Sequence, residues 1–384
     1  MPSTLNVAVV GAGVFGRNHA RVYHDLSLAG DLIRLAGIVD SDFARASAIA
    51  AEFQTRAFRT ISELVAGTHV DAASVAVPTI HHCAVARELM QAGIDVLIEK
   101  PLATTLAEAD ELIRAAAAHG RIVQVGHLER FNPAVRATIP LLNRPMFFEV
   151  HRLSVFSPRA LDVDVVLDLM IHDLDVVLSF VSSPIADIRA VGLPILSPKV
   201  DIANVRMDFQ NGCVANFTAS RVSTERVRKL RFFQPRQYIS LDYSRQDVLV
   251  FTVDNSPKKP LPSAQQIRTG KLDLGELIET LAQHHGVAPI PDPTRPGTQA
   301  PSAAEQIANQ KSTITNVSPL PGISMSKPPV ASEEPLKAEL RSFLDAVRRR
   351  TTPVVTLDDG RRALAAALQI LDTIAAHARR ANLS

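Results

Sequence analysis

The eleven residues "NVAVVGAGVFG" (6–16) constrain the fold more than any other stretch of the chain. Residues 7–10 are apolar without alternation, as in a strand covered on both faces, and a glycine-rich turn follows at once. Gly11, Gly13 and Gly16 give the spacing G-x-G-x-x-G at the start of a helical pattern running to about Leu28. In isolation such a turn is common. Here the next apolar run, "IRLAGIVD", ends in Asp40, 24 residues beyond the last glycine. Strand, turn, helix and a second strand closed by an acid form the fingerprint of a dinucleotide-binding βαβ unit. Gly11 permits the tight turn, Gly13 lets backbone approach a pyrophosphate, and Gly16 lets helix and strand pack closely. Val14 and Phe15 complete the cofactor loop, whose helix-start N–H groups face phosphate. The carboxylate of Asp40 suits a ribose diol and repels a 2′-phosphate, so the expected cofactor is NAD rather than NADP.

The same rhythm continues. "DAASVAVP", "DVLIEKP" and "RIVQVGH" read as further buried strands, separated by helical patterns at "CAVARELMQAG" and "TLAEADELIRAAAAHG". This order predicts an α/β domain, a doubly wound parallel sheet, over residues 1–127. After about residue 145 strands with period-two alternation take over, among them "ANVRMDF", "VANFTASR", "KLRFFQ" and "DVLVFTV". Asn211-Gly212 supplies a hairpin turn between two of them. Residues 128–384 are therefore expected to form an α+β domain with an open, mainly antiparallel sheet. Within it, residues 255–332 carry about half of the chain's 25 prolines and little periodicity, and read as a flexible Pro-rich insertion. Amphipathic helices return at "EPLKAELRSFLDAVRRR" and "DDGRRALAAALQILDTIAAHARR".

Composition narrows the function. The formal net charge of the 384 residues is +2, there is no Trp, and Tyr occurs 3 times, so a stacking platform for nucleic acid is not expected. Arg221, Arg226, Arg228, Lys229 and Arg231 make the one notable cationic run, which reads as a solvated sheet face or a site for an anionic substrate group. Two cysteines fit neither a disulfide framework nor a zinc site. No apolar run has membrane-spanning length, and the N-terminus lacks the pattern of a signal peptide. The expected location is the cytoplasm.

Two further groupings carry chemistry. "VLIEKP" sets Glu99 and Lys100 at the carboxyl end of a parallel strand, where ligands bind in open α/β sheets. By spacing alone, Lys100 could equally be a surface lysine at a loop entrance. In "VVLDLMIHDLDVVLSF", Asp168 and His172 stand four apart on a predicted helix and so share a face. A carboxylate there can orient an imidazole acting as a general base, or form only a surface ion pair. Asp173 and Asp175 point elsewhere, and no metal site is expected.

Taken in order, "GAGVFGRNHA", "VAVPTIHHCAVARELMQAGIDVLIEKPLA", "VGHLERFNPAV", "LDLMIHDLD", "EPLKAELRSFLDAV" and "DGRRALAAALQI" resemble the glucose–fructose oxidoreductase / inositol dehydrogenase / MocA-type family. The resemblance implies an N-terminal Rossmann domain and a C-terminal α+β domain whose open sheet makes homo-oligomer contacts. It implies that Lys100 lies between nicotinamide and substrate, and that His172, paired with Asp168, is the acid/base on the reacting hydroxyl. Pro78, Thr79 and His81 would lie along the cofactor, with Glu99 at its edge. "DLMIHDLD" with "RFNPA" and "SRVSTERVRKLRFF" looks most like members acting on nucleotide sugars such as UDP-N-acetylglucosamine. The implied reaction is reversible, NAD-dependent oxidation of a secondary sugar hydroxyl to a ketone. A polyol dehydrogenase of the inositol type and a non-catalytic NAD-binding regulator are the alternatives. Asn132, Arg152 and Arg159 flank these motifs and are the candidate substrate contacts.

Overall fold

The computed structural model describes residues 4–156, 163–253 and 323–382. The first half alternates strands β1 (Leu5–Val10), β2 (Ile33–Val39), β3 (Ala57–Phe58), β4 (Ala72–Val75), β5 (Asp95–Glu99) and β6 (Val123–Gly126) with helices α1 (Val14–Leu28), α2 (Phe43–Glu52), α3 (Ile61–Gly67), α4 (His82–Gln91) and α5 (Leu106–His119). All the strand pairs are parallel, in the order β3-β2-β1-β4-β5-β6. The order reverses between β1 and β4, and at such a switch point the strand ends open a crevice for ligand. Val7, Val9, Ala73, Val96 and Ile98 are fully buried because helices cover both sheet faces. The short β3 and α3 were not anticipated; two residues of strand leave no period to read.

A short helix α6 (Pro133–Thr138) leads to strand β7 (Phe147–Val155), and helix α7 (Ile171–Phe180) follows. Six more strands are consecutive: β8 (Ile185–Leu193), β9 (Ile202–Phe209), β10 (Val214–Ser223), β11 (Val227–Gln234), β12 (Gln237–Asp242) and β13 (Asp247–Val253). With β14 (Ile323–Ser326) they form an eight-stranded sheet, β14-β13-β12-β11-β7-β10-β9-β8, antiparallel except for the β7–β10 pair. Strand β14 falls inside the stretch expected to lack structure. It completes the sheet edge by pairing with β13, a partnership that local composition does not signal. The remaining expectation for that stretch, including a short helix at "LGELIETLAQHH", lies outside the described residues up to 322.

The eight-stranded sheet has one covered face. Phe148, Val150, Phe217, Leu230 and Phe232 pack there against α7 and the long helix α9 (Leu357–Arg380). Helix α8 (Pro335–Arg349), counted from sequence with the second domain, packs elsewhere. Its Leu340, Phe343, Leu344 and Val347, one face at i, i+3, i+4 and i+7, join the core of β1 and α1. The C-terminal segment therefore returns to complete the first layer, a long-range choice that its amphipathic pattern leaves open.

Candidate active site

The glycine turn has the shape its spacing predicted. Gly11 has φ +105°, and a Cβ there would stand 2.5 Å from the Ala76 carbonyl oxygen. At Gly16 a Cβ would stand 1.7 Å from the carbonyl oxygen of Gly11, so only glycine lets α1 approach β1 this closely. A Cβ on Gly13 would meet nothing, because that position borders open space. Gly13 is the N-cap of α1 and offers no capping side chain, and the first turn has no acid. Helices α5 and α9, by contrast, close their own N-termini with capping boxes. The uncapped N–H groups of α1 and the space before them fit a pyrophosphate. Val14 and Phe15 are 58% and 59% exposed beside that space, apolar surface available to a ligand.

A groove of about 910 Å³ runs along these strand ends past Gly13, Asp40, Pro78 and His81. Asp40 accepts from the Ala12 N–H at 2.6 Å and the Asp42 N–H at 2.8 Å, which fixes its carboxylate at the far end. At the near end, Phe15 and Pro78 also line a smaller cavity of about 170 Å³, together with Thr79, Glu99, Lys100 and Asp168. Groove and cavity form one path from the Asp40 carboxylate to a buried amine, with dimensions and polarity that fit a dinucleotide.

Lys100 stands at the inner end. Its Nζ donates to the backbone carbonyl of Asp168 at 2.7 Å and lies 3.7 Å from Asp168 Oδ1. Burial pulls the pKa of the ammonium down, while Asp168 and Glu99 hold its charge. Glu99 is braced by His19, whose Nε2 is 2.8 Å from Oε1. Burial disfavours the Glu99 carboxylate, but His19 and Lys100 outweigh it and keep its pKa below the ordinary value. His82 ties the loops together: its ring nitrogens are each 2.9 Å from the carbonyl oxygens of Val77 and Pro101.

His172 differs from the expectation. A π-helical turn over Val166–Met170 precedes α7, and Asp168 lies within it. Asp168 turns to Lys100, and among the described residues no hydrogen bond joins it to His172. His172 Nδ1 is buried without a partner. Burial, with Lys100 and Arg152 next, holds the imidazole pKa well below its usual 6.5. A neutral ring beside a cationic amine can accept a proton from a hydroxyl held by that amine.

Two proposed substrate contacts are corrected. Arg152 is buried, and its guanidinium is fully engaged: Nε and Nη2 donate to Asp173 at 2.6 and 2.9 Å, and Nη1 donates to Glu129 at 3.0 Å. Burial opposes the charge, but these carboxylates raise the Arg152 pKa further still. Asn132 caps α6 and donates to Glu129 and to the Tyr243 carbonyl, both at 3.0 Å. Neither side chain is free for a substrate; together they brace the residue next to His172. Arg159 lies outside the described residues. Sequence reading missed Glu129, Asp173, Tyr243, His19 and His82 as site supports. The one signal was charge inside apolar runs, which demands partners without naming them.

Residues 5–127 match the family model described as "Oxidoreductase family, NAD-binding Rossmann fold", and residues 144–236 match the "GFO/IDH/MocA C-terminal domain". UDP-N-acetylglucosamine 3-dehydrogenase of Acidithiobacillus ferrooxidans is 32% identical over 367 residues, covering 95% of this chain and 96% of that protein. A solved structure of the Acidithiobacillus ferrooxidans enzyme superposes with TM-score 0.75 at 31% identity, over 97% of this chain and 98% of the other. Inositol 2-dehydrogenase 2 of Saccharopolyspora erythraea is 33% identical over 181 residues, 45% of this chain and 52% of that protein.

Proposed function

The chain belongs to the GFO/IDH/MocA oxidoreductase family, with NAD as its cofactor, and we propose that it oxidises a secondary hydroxyl of UDP-N-acetylglucosamine or a closely similar nucleotide sugar. Coverage supports this substrate over a polyol. The nucleotide-sugar enzyme matches 95% of the chain, whereas the inositol enzyme matches 45%, so the second likeness leaves more than half of the chain unmatched.

NAD, when bound, supplies the hydride acceptor. Gly13 and the start of α1 hold its pyrophosphate, Asp40 its adenosine ribose, and Val14, Phe15, Pro78, Thr79 and His81 flank it. Lys100 donates a hydrogen bond to the substrate hydroxyl and, from its buried position, stabilises negative charge developing on that oxygen. His172, kept neutral, takes the hydroxyl proton. Asp168 acts on Lys100, anchoring the amine with its carbonyl and carboxylate. In the reverse direction a protonated His172 returns the proton.

The observation that carries the reading is the seam at Lys100, where a Rossmann strand end meets the helix that presents His172. A non-catalytic NAD-binding protein has no use for a buried, depressed amine beside a neutral imidazole. The test is NADH formation from a panel of UDP-sugars and polyols. A response from UDP-N-acetylglucosamine supports the reading; silence from every UDP-sugar removes it.

The same reading makes the protein a cytoplasmic homo-oligomer that uses the second sheet. Phe147, Phe233, Tyr238 and Phe251 form a chain of neighbouring rings, with centroids 5.0–5.7 Å apart, on the sheet face away from α7 and α9. Apolar faces of this kind favour protein contact. Light scattering should give a multiple of 41.6 kDa. No helix among the described residues is long and apolar enough to cross a membrane.

A further inference from the structure

Strand alternation divides the cationic run. Arg221 is buried on β10, 3.2 Å from Asp201. Lys229 and Arg231 fall on the odd-numbered face of β11, where Arg231 is 3.9 Å from Glu149. Arg228 falls on the other face, with the buried Leu230 and Phe232, and so points inward. It stands directly opposite Arg152 across the β11–β7 ladder, and opposed residues share a face. Arg152 reaches Asp173, the residue after His172.

Arg228 therefore lies beside the active-site helix, yet among the described residues it forms no ion pair; Glu129 and Asp173 favour its charge only from beyond contact distance. Its Nε is buried without a hydrogen-bond partner. The two nearby carboxylates are committed: Asp173 gives both oxygens to Arg152, and Glu129 gives one to Arg152 and one to Asn132. Burial and the neighbouring Arg152 press against its charge, and Arg228 in turn is among the cations that act on His172. A half-buried guanidinium left unpaired is costly unless a ligand supplies the missing acceptors. Its planar fork suits an oxyanion.

We propose that Arg228 is the anion-binding residue of the substrate cleft and takes the diphosphate group of a nucleotide sugar while Lys100 and His172 hold a hydroxyl of the sugar ring. This inference rests on the nucleotide-sugar reading and adds the residue that distinguishes such a substrate from an uncharged polyol.

The test uses the full chain saturated with NAD and compares wild type, Arg228→Met and Arg228→Lys. UDP binding is followed by calorimetry, and KM for UDP-N-acetylglucosamine by NADH formation. In Arg228→Met both constants should weaken about 10- to 100-fold, the effect of one charged hydrogen bond. NAD affinity should stay unchanged, and Arg228→Lys should recover part of the loss. Equal UDP binding and equal KM in wild type and Arg228→Met would overturn the inference, as would a wild type that binds no UDP. Loss of NAD affinity alongside would mark Arg228 as merely structural and also overturn it. A wild type that binds UDP through Arg228 but does not oxidise the UDP-sugar would defeat the substrate reading and leave this inference standing.

Discussion

Lys100 Nζ donates a 2.7 Å hydrogen bond to the backbone carbonyl of Asp168, joining the end of a Rossmann strand to the π-helical turn that precedes His172. One bond thus sets the distance between the two residues assigned to the reacting oxygen. Carbonyl and carboxylate of Asp168 both lie near the amine, which holds it in one place despite a flexible stem.

Replacing Lys100 with Met should lower turnover about 10²- to 10³-fold, the usual loss when a donor to a developing oxyanion is removed. NAD binding, followed by calorimetry, should survive. Unchanged turnover would take Lys100 out of the mechanism.

The pH profile of sugar oxidation should be bounded by two displaced groups. His172 must be neutral, and its pKa lies well below 6.5, so kcat/KM should hold steady as pH falls through 6.5 and drop only below it. Lys100 must be charged, and its pKa is lowered from 10.5, so the alkaline limb should begin earlier than for a free lysine. His172→Gln should abolish the acid limb together with most activity. For stability the His172 sign is the same. A depressed folded-state pKa leaves the folded protein unaffected above 6.5 and penalises it as pH falls, when the unfolded imidazole takes up a proton first. An acid limb centred near an ordinary imidazole would contradict the buried, neutral ring.

Arg152→Met should act first on folding. It strands Asp173 and Glu129 as buried carboxylates, a loss on the order of 3–5 kcal/mol. Chemical denaturation measures this directly. A variant with wild-type stability and only a raised substrate KM would restore Arg152 as a substrate contact.

Gly13→Ala and Gly16→Ala should separate binding from folding. The added methyl at Gly16 collides with the Gly11 carbonyl, so that variant should lose stability. At Gly13 the methyl meets no protein atom, so the variant should fold normally but bind NAD more weakly. Thermal melts with and without NAD distinguish the two. Equal effects would mean the space before Gly13 is not where the pyrophosphate sits.

The parallel sheet and its glycine turn were legible because their signals are local: apolar runs of fixed length, and three glycines each needed for a stated steric reason. The antiparallel sheet was legible from period-two alternation. The return of α8 to the first sheet and the addition of β14 were not, since both depend on partners far along the chain. In the site, the end of a strand pointed to Lys100 but left a surface lysine equally open, and only the family resemblance gave the residue a role. Asp168 and His172 were placed on one helical face by a period of 3.6, and the π-helical turn breaks that period where it matters. The corrected roles of Arg152 and Asn132 share a cause. A sequence shows that a charged residue sits in an apolar segment, but it does not show which other charge will meet it.

The central claim is that this chain moves a hydride from a sugar carbon to NAD, with Lys100 and His172 on the oxygen. UDP-N-acetylglucosamine carrying deuterium on every sugar-ring carbon that bears a secondary hydroxyl tests it directly, with the reduced cofactor analysed by mass spectrometry. The account predicts deuterated NADH in the wild type, formed about 10²- to 10³-fold more slowly in Lys100→Met. Reduced cofactor without deuterium, or no reduction by this sugar while an inositol is oxidised, would contradict it.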